Sequence, residues 1–248
     1  MSRTPAKDNS TDGVAAAEPS TDGVAAVERA LTIVAAVAQR TDPITLADLS
    51  RATGFYKSTL LRLIASLEKA ALVVRRADGR YALGPYAHHL GRAYEATYRL
   101  TETILPLLQD LVDKGTESAS FHVYHDAHSR VCVLRVDSHH STLDRIRVGD
   151  LLPLDKGAAG KLLTAYLVKG QAPAQAGLML TSMGERDPNC AAVASPVFGP
   201  DGELCGAISL SGPKERFSPA AVKKMAKLAQ DAAAEATRAL GGRWPSAK

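Results

Sequence analysis

The chain has 248 residues, of which 46% are hydrophobic and 23% charged, with a net charge of +4. That is enough for one large or two modest folded domains, and a mild positive balance suits contact with nucleic acid. No apolar run approaches the ~20 residues of a membrane helix and no hydrophobic block near the amino terminus resembles a signal peptide. Cys132, Cys190 and Cys205 are too scattered for a disulfide or zinc framework, so buried reduced thiols in a cytoplasmic protein are expected.

In chain order, the first feature is a duplication. Residues 10–18 (STDGVAAAE) recur as 20–28 (STDGVAAVE), differing only at Ala17 and Val27. Pro19 stops a helix from running out of the first copy, so residues 1–21 are expected as a disordered tail. The second copy opens an apolar-faced helix, Val24 to Val37, as the start of a domain over 22–85.

Thr45 to Thr53 follows as a short helix, with Thr at its start and Asp48 three residues on, close to a capping box. Gly54 breaks it, and a second helix begins near Tyr56. Two short helices joined by a tight glycine turn form the helix-turn-helix pattern. In the second helix, Leu60, Leu63, Ile64 and Leu67 keep the spacing of a core stripe. Lys57, Ser58, Leu61, Arg62 and Ala65 lie away from it, with cations and a hydroxyl toward the amino-terminal end, where a recognition helix enters the major groove. Lys57 and Arg62 are expected at phosphate or guanine edges, Ser58 and Thr59 at phosphate or base edges, and Leu61 against a thymine methyl. Two β-prone runs then flank Asp78-Gly79, a hairpin signal. Arg75, Arg76 and Arg80 surround that turn, and Arg76 and Arg80 are expected on the flanking DNA backbone.

Beyond the hairpin, Leu90 to Leu100 is helix-prone, and Ile104, Leu107, Leu108, Leu111 and Val112 mark an amphipathic helix with Pro106 in its first turn. Strands are expected at Ala119–Tyr124, Val131–Val136, Arg145–Val148, Ala191–Val197 and Cys205–Ser211. A helix over Ala158 to Val168 lies between the third and fourth. Ser218-Pro219 is an N-cap and N1 pair that opens a last helix, with Val222, Met225, Ala229, Ala232, Ala236 and Leu240 on one side. Strands framed by helices give an α+β domain with an antiparallel sheet. Ser209 and Ser211 alternate along one strand and share a face. Ala158, Ala159 and Gly160 open a helix whose free N–H groups favour an anion such as a carboxylate.

Several ordered blocks now carry a resemblance: VERAL (27–31), KSTLLRLIASLE (57–68), DGRYALG (78–84), LPLDKGAAGKLL (152–163), MGERDP (183–188), ASPVF (194–198) and AISLSGP (207–213). Over about residues 22–240 the chain resembles the IclR family of transcriptional regulators. The resemblance implies a winged helix-turn-helix over 22–85, a linker helix over 86–100, a GAF-like effector domain over 101–242 and a tail over 243–248. It also implies homodimers or dimers of dimers on a double-stranded, pseudo-palindromic operator. Leu152, Ala158, Ala159, Cys190, Ser209 and Ser211 match positions that line the effector cavity, and a small organic acid is the expected effector. Three departures stand out. Tyr56 replaces a proline common before the recognition helix, and Leu61 stands where a polar residue is frequent. Leu180-Thr181-Ser182 leave no counterpart for an acidic residue that some members carry before the Cys190 position.

The rival reading is a ligand-binding protein or small-molecule enzyme whose basic helical module serves protein interaction. G-x-S-x-G, G-x-G-x-x-G and G-K-[ST] patterns are all absent from the sequence, and Gly160-Lys161 is followed by Leu162. A DNA-compacting protein would carry more charge and no second domain. The spacings of His122, His125 and His128, and of the His88-His89 and His139-His140 pairs, supply no convergent metal geometry. They read as ordinary surface histidines, and no metal, cofactor or catalytic residue is expected.

Overall fold

The structure, a computed structural model, describes residues 23–139, 146–168 and 177–245. The expected tail over 1–21 lies outside them. The chain divides into two compact units at His88 and His89.

In the first unit, α1 (Ala25–Ala38), α2 (Leu46–Thr53) and α3 (Lys57–Lys69) are followed by the hairpin strands β1 (Val73–Arg75) and β2 (Tyr81–Leu83). Ile33, Leu49, Leu60, Ile64 and Val73 close its core. The start of α2 is set by Thr45, whose hydroxyl accepts from the Asp48 backbone N–H at 3.1 Å and donates to its carboxylate at 2.7 Å. That hydroxyl, ahead of the nearby Arg51 and Arg40 charges, holds the Asp48 carboxyl below its usual range. α2 ends at Gly54, in the left-handed region at φ 72°, with its N–H on the Ser50 carbonyl, a conformation that glycine adopts without steric cost. Gly79 turns the hairpin at φ 79°. Ile44 and Tyr81 exchange two backbone hydrogen bonds of 2.8 Å, so the segment before α2 extends the hairpin by a third short strand.

In the second unit, the division falls inside α4 (Pro85–Tyr98), the helix expected as a linker, which starts at Pro85 rather than near Leu90. α5 (Leu100–Thr103) and α6 (Leu105–Asp113) lead to a six-stranded antiparallel sheet. Its strands are β3 (Ser118–Tyr124), β4 (Ser129–Asp137), β5 (Leu151–Pro153), β6 (Leu180–Met183), β7 (Cys190–Phe198) and β8 (Leu204–Pro213), in the order β5-β4-β3-β8-β7-β6. α6 and the long α8 (Pro219–Ala239) pack on one face. There Leu108, Leu111, Ala229, Ala233 and Ala236 meet Ala119, Phe121, Val193, Ile208 and Leu210. Ser218 caps α8 through the Ala221 N–H, as its Ser-Pro start predicts. α7 (Ala158–Leu163), continued by a π turn over Thr164–Val168, packs through Leu162 and Leu163 with Ala194 and Ala207.

One expected strand does not form. Arg145 lies outside the described residues, and Ile146 to Val148 lead into a turn instead. Asp150 accepts the Arg147 N–H through its carboxylate at 2.7 Å, and Gly149 adopts φ 91°. The pairing with β4 is made three residues later, by β5. The short edge strand β6 was not anticipated.

Candidate functional site

Two chemically opposite surfaces carry the expected site residues. On the first unit, α3 buries Leu60, Ile64 and Leu67 and turns the rest of its circumference outward. Lys57, Ser58, Leu61 and Arg62 are exposed and Thr59 is half-buried. Tyr56 precedes the helix at φ −63°, which is the φ of proline, so its substitution leaves the entry into α3 unchanged. In the hairpin Arg76 and Arg80 are exposed beside the turn. Arg80 is held lightly, 3.7 Å from the Asp78 carboxylate. Lys57, Arg62 and Arg76 make no ion pair among the described residues, whereas Arg51, Arg92 and Arg99 are each paired within their own helical segment. Outward cations without intramolecular partners, on a short helix and an adjacent hairpin, suit the phosphates and groove edges of duplex DNA.

On the second unit the polar residues turn inward. The register aligns Ser118 with Ser211, Ser120 with Ser209 and His122 with Ala207 across β3 and β8, and Ala192 and Ala194 continue the first two rows into β7. Because alternate residues share a sheet face, this sets a stripe of hydroxyls and small side chains opposite the α8 face. A cavity of about 30 Å³ opens there, lined by Ser120, His122, Arg130, Ile146, Gly157, Ala158, Ala159, Ser182, Arg186, Asp187, Cys190, Ala191, Ala192, Ser209 and Ser211. Hydroxyls, guanidinium groups and an imidazole thus line one small concave site.

Five of the seven expected effector residues line this cavity: Ala158, Ala159, Cys190, Ser209 and Ser211. Leu152 and Gly160 do not. Leu152 packs with Cys132 and Ile146. Gly160 sits under Arg130, where a Cβ would lie 2.5 Å from the Leu154 carbonyl oxygen and 2.7 Å from the guanidinium. The absence of a side chain at Gly160 thus serves the arginine rather than a guest. Arg130 is 2% exposed and donates to the Pro153 and Lys156 carbonyls, the latter at 3.1 Å. The start of α7 is also less open than its sequence implies. Glu185 pairs with Lys161 at 2.6 Å, and that hydrogen bond, with a further one from the Gly157 backbone, holds its carboxyl below the usual range.

Ten of the fifteen lining residues were not expected there, Ser120, His122, Arg130, Arg186 and Asp187 among them. His122 is the clearest correction, because it is 1% exposed rather than a surface histidine. Its Nε2 lies 2.9 Å from the Ser120 hydroxyl, and burial, then Arg130, Arg135 and Arg186, pushes its pKa well below the ordinary value. Ser120 belongs to the same alternation, Ser118-Ala119-Ser120-Phe121-His122, that made Ser209 and Ser211 legible. Arg130 gave no signal of burial, and Asp187 supplies an acidic group three residues before Cys190. The thiols also divide. Cys132 and Cys190 are buried as expected, while Cys205 is half-exposed.

Comparison with known proteins assigns both units. Residues 26–77 match the IclR helix-turn-helix domain, and residues 175–238 match the bacterial transcriptional regulator IclR C-terminal domain. The transcriptional repressor IclR of Escherichia coli K12 is 24% identical, over 83% of this chain and 86% of its own length. The glycerol operon regulatory protein of Streptomyces griseus is 26% identical, over 79% and 88%. In fold, the chain is similar to an IclR homolog from Microbacterium hydrocarbonoxydans solved with 4-hydroxybenzoate, at a TM-score of 0.68 and 17% identity over 87% of this chain and 98% of that one. With a winged helix-turn-helix ahead of an α+β domain and both domain models in the family's order, the chain belongs to the IclR family of DNA-binding transcriptional regulators.

Proposed function

We propose that this regulator binds a pseudo-palindromic operator as a homodimer, through Lys57, Ser58, Thr59, Leu61 and Arg62 of α3 and Arg76 and Arg80 of the hairpin. We further propose that a small organic acid in the buried cavity modulates that binding. The observation that carries the effector half is the cavity's wall, where the hydroxyls of Ser209 and Ser211 stand with two guanidinium side chains, Arg130 and Arg186, against the single carboxylate of Asp187. Guanidinium groups favour carboxylates through charge and paired N–H donors. They replace the start of α7 as the expected anion-binding element, since α7 has six residues and Glu185 already accepts from Gly157. The acid held by the Microbacterium relative is in keeping with this chemistry.

Two exposed apolar stripes support the homodimer. Val27 and Leu31 lie along α1 with Val24 just ahead of it, and Tyr86, Leu90 and Tyr94 recur every four residues along α4. Each stripe keeps helical spacing on a solvated face, which suits burial against the same helix of a second copy. A regulator of this kind acts in the cytoplasm and turns over no substrate. No helix among the described residues is long and apolar enough to cross a membrane.

The test has two arms. Footprinting on the intergenic DNA beside its own gene, against random DNA of equal length, is expected to give a protected palindrome. Calorimetric titration with a panel of organic acids is expected to give one binding isotherm, abolished by Ala159→Phe. Full-strength binding of the same acid to that variant would place the effector elsewhere.

A further inference from the structure

His122 is a buried titratable group that neither DNA contact nor the fold accounts for. It lines the cavity, it is 1% exposed, and its Nδ1 is buried with no hydrogen-bond partner among the described residues. The Ser120 hydroxyl lies 2.9 Å from Nε2 and 3.4 Å from the Ser209 carbonyl oxygen. A hydroxyl has one proton, and the carbonyl can only accept. The arrangement that satisfies both contacts has Ser120 donating to Ser209 and Nε2–H donating to Ser120, which leaves a lone pair on Nδ1.

We infer that the cavity takes up an acid anion together with one proton from solvent, the proton binding at Nδ1 of His122, which then donates to the anion. The inference rests on the reading of this cavity as an anion site and deepens it. Among the described residues, the charged and titratable groups around the ring are Arg130, Arg135 and the cross-strand Cys132 from β4, Arg186 and Asp187 from the loop between β6 and β7, and Cys190 from β7. α7 contributes the small Ala158 and Ala159. With the cavity free of anion, burial removes water from the imidazolium and the three arginines repel it, so the ring is neutral. An anion offsets both effects, because it accepts the Nδ1–H bond in place of water and its charge opposes the three arginines. A unit negative charge about 4 Å away, at an effective dielectric near 20, favours the protonated ring by about a thousandfold. The bond made is Nδ1–H and the proton is drawn from buffer, so a monoanion such as acetate leaves the net charge of the cavity unchanged, while a dianion such as malonate adds one negative charge.

His122 has a depressed pKa without anion and a raised one with it, so affinity is greatest on the acid side and falls as pH rises between the two values, by up to about tenfold per pH unit. The experiment uses the full-length protein, labelled with 15N and titrated with acetate and, separately, malonate from about pH 5.5 to about pH 8, the range that spans an ordinary histidine. The His122 ring signals are identified by their loss in His122→Gln. The expected result is a neutral ring without anion, an imidazolium at saturation, an affinity that falls with pH, and a flat pH profile in His122→Gln. Equal affinity across the range with a ring that stays neutral would overturn the proton coupling and leave the acid site standing. If neither anion moves the backbone amide signals of Ala158, Ala159, Ser209 and Ser211 at any pH, the acid site falls and the coupling with it. Should His122→Gln fail to fold, the pH profile of the natural protein decides alone.

Discussion

The two units use the same kinds of residue to opposite ends. In the winged-helix unit, Lys57, Arg62 and Arg76 project into solvent from two neighbouring stretches of chain. In the second unit, Arg130 and His122 are turned inward, and the cavity they share with Ser209 and Ser211 is gathered from strands almost ninety residues apart by the β3–β8 register. An outward cation keeps its hydration until DNA arrives, so it needs no partner and little scaffolding. An inward one loses its hydration on folding and must be satisfied by carbonyls, as Arg130 is by Pro153 and Lys156. A DNA face can therefore be changed one residue at a time, whereas a change in the cavity falls on a packed network.

The largest test of that contrast is Ile64→Ala. It removes a fully buried side chain from the first core and is expected to cost about 2–5 kcal/mol there, with loss of operator binding. Trp244, the single tryptophan, packs at 6.1 Å from Phe198 in the second unit. Its fluorescence should keep its unfolding transition while circular dichroism shows an earlier one. A matching shift in both signals would mean that the units unfold as one.

Arg62→Ala comes next and keeps the fold, because the side chain lies off the core stripe. Footprinting titration should show operator affinity weakened by about 1–3 kcal/mol, the size of a lost bidentate base contact. Unchanged affinity would remove Arg62 from the readout. Ser211→Ala probes the other side of the comparison. It should cost about 0.5–1.5 kcal/mol of acid binding and leave operator affinity without ligand intact, as calorimetry and gel titration would show. Its hydroxyl is 2.9 Å from that of Ser118, so Ser118→Ala should give a smaller loss by loosening that orientation. Arg76→Ala has the mildest expected effect. All DNA sequences should weaken alike, and the slope of log affinity against log salt should drop by about one. A loss confined to one base position would break the backbone assignment of the hairpin.

The same contrast explains what could be read from the chain alone. The winged helix was legible to within a residue or two at most boundaries, because its signals are local: Thr45 caps, Gly54 breaks, Asp78-Gly79 turns, and the α3 core stripe repeats every three or four residues. The second unit yielded its sheet and the Ser218 cap, and Ser209 with Ser211 showed through as an alternating pair. Leu152 was placed in the cavity by resemblance and Gly160 by its position at a helix start, but their own packing against Cys132 and Arg130 takes them out of its lining. Ser120, His122 and Arg130 were missed because nothing within ten residues of them says that β8 will lie alongside. His122 also sits among polar neighbours, His-Val-Tyr-His-Asp, where exposure is the ordinary expectation, and arginine is among the residues least often buried. The strand expected at 145–148 failed for a local reason, the Asp150–Arg147 turn, which depends on a side-chain hydrogen bond rather than on β propensity.

The Ile44–Tyr81 pairing has a kinetic consequence. Two backbone hydrogen bonds tie the hairpin to the segment that leads into α2, and α2 shares a core with α3 through Leu49 and Leu60. Wing and recognition helix are therefore tied into one reading head by backbone pairing and a common core. On the proposed homodimer, residence time would then depend on how many heads are seated at once, and a signal that alters occupancy would act on where each head stands.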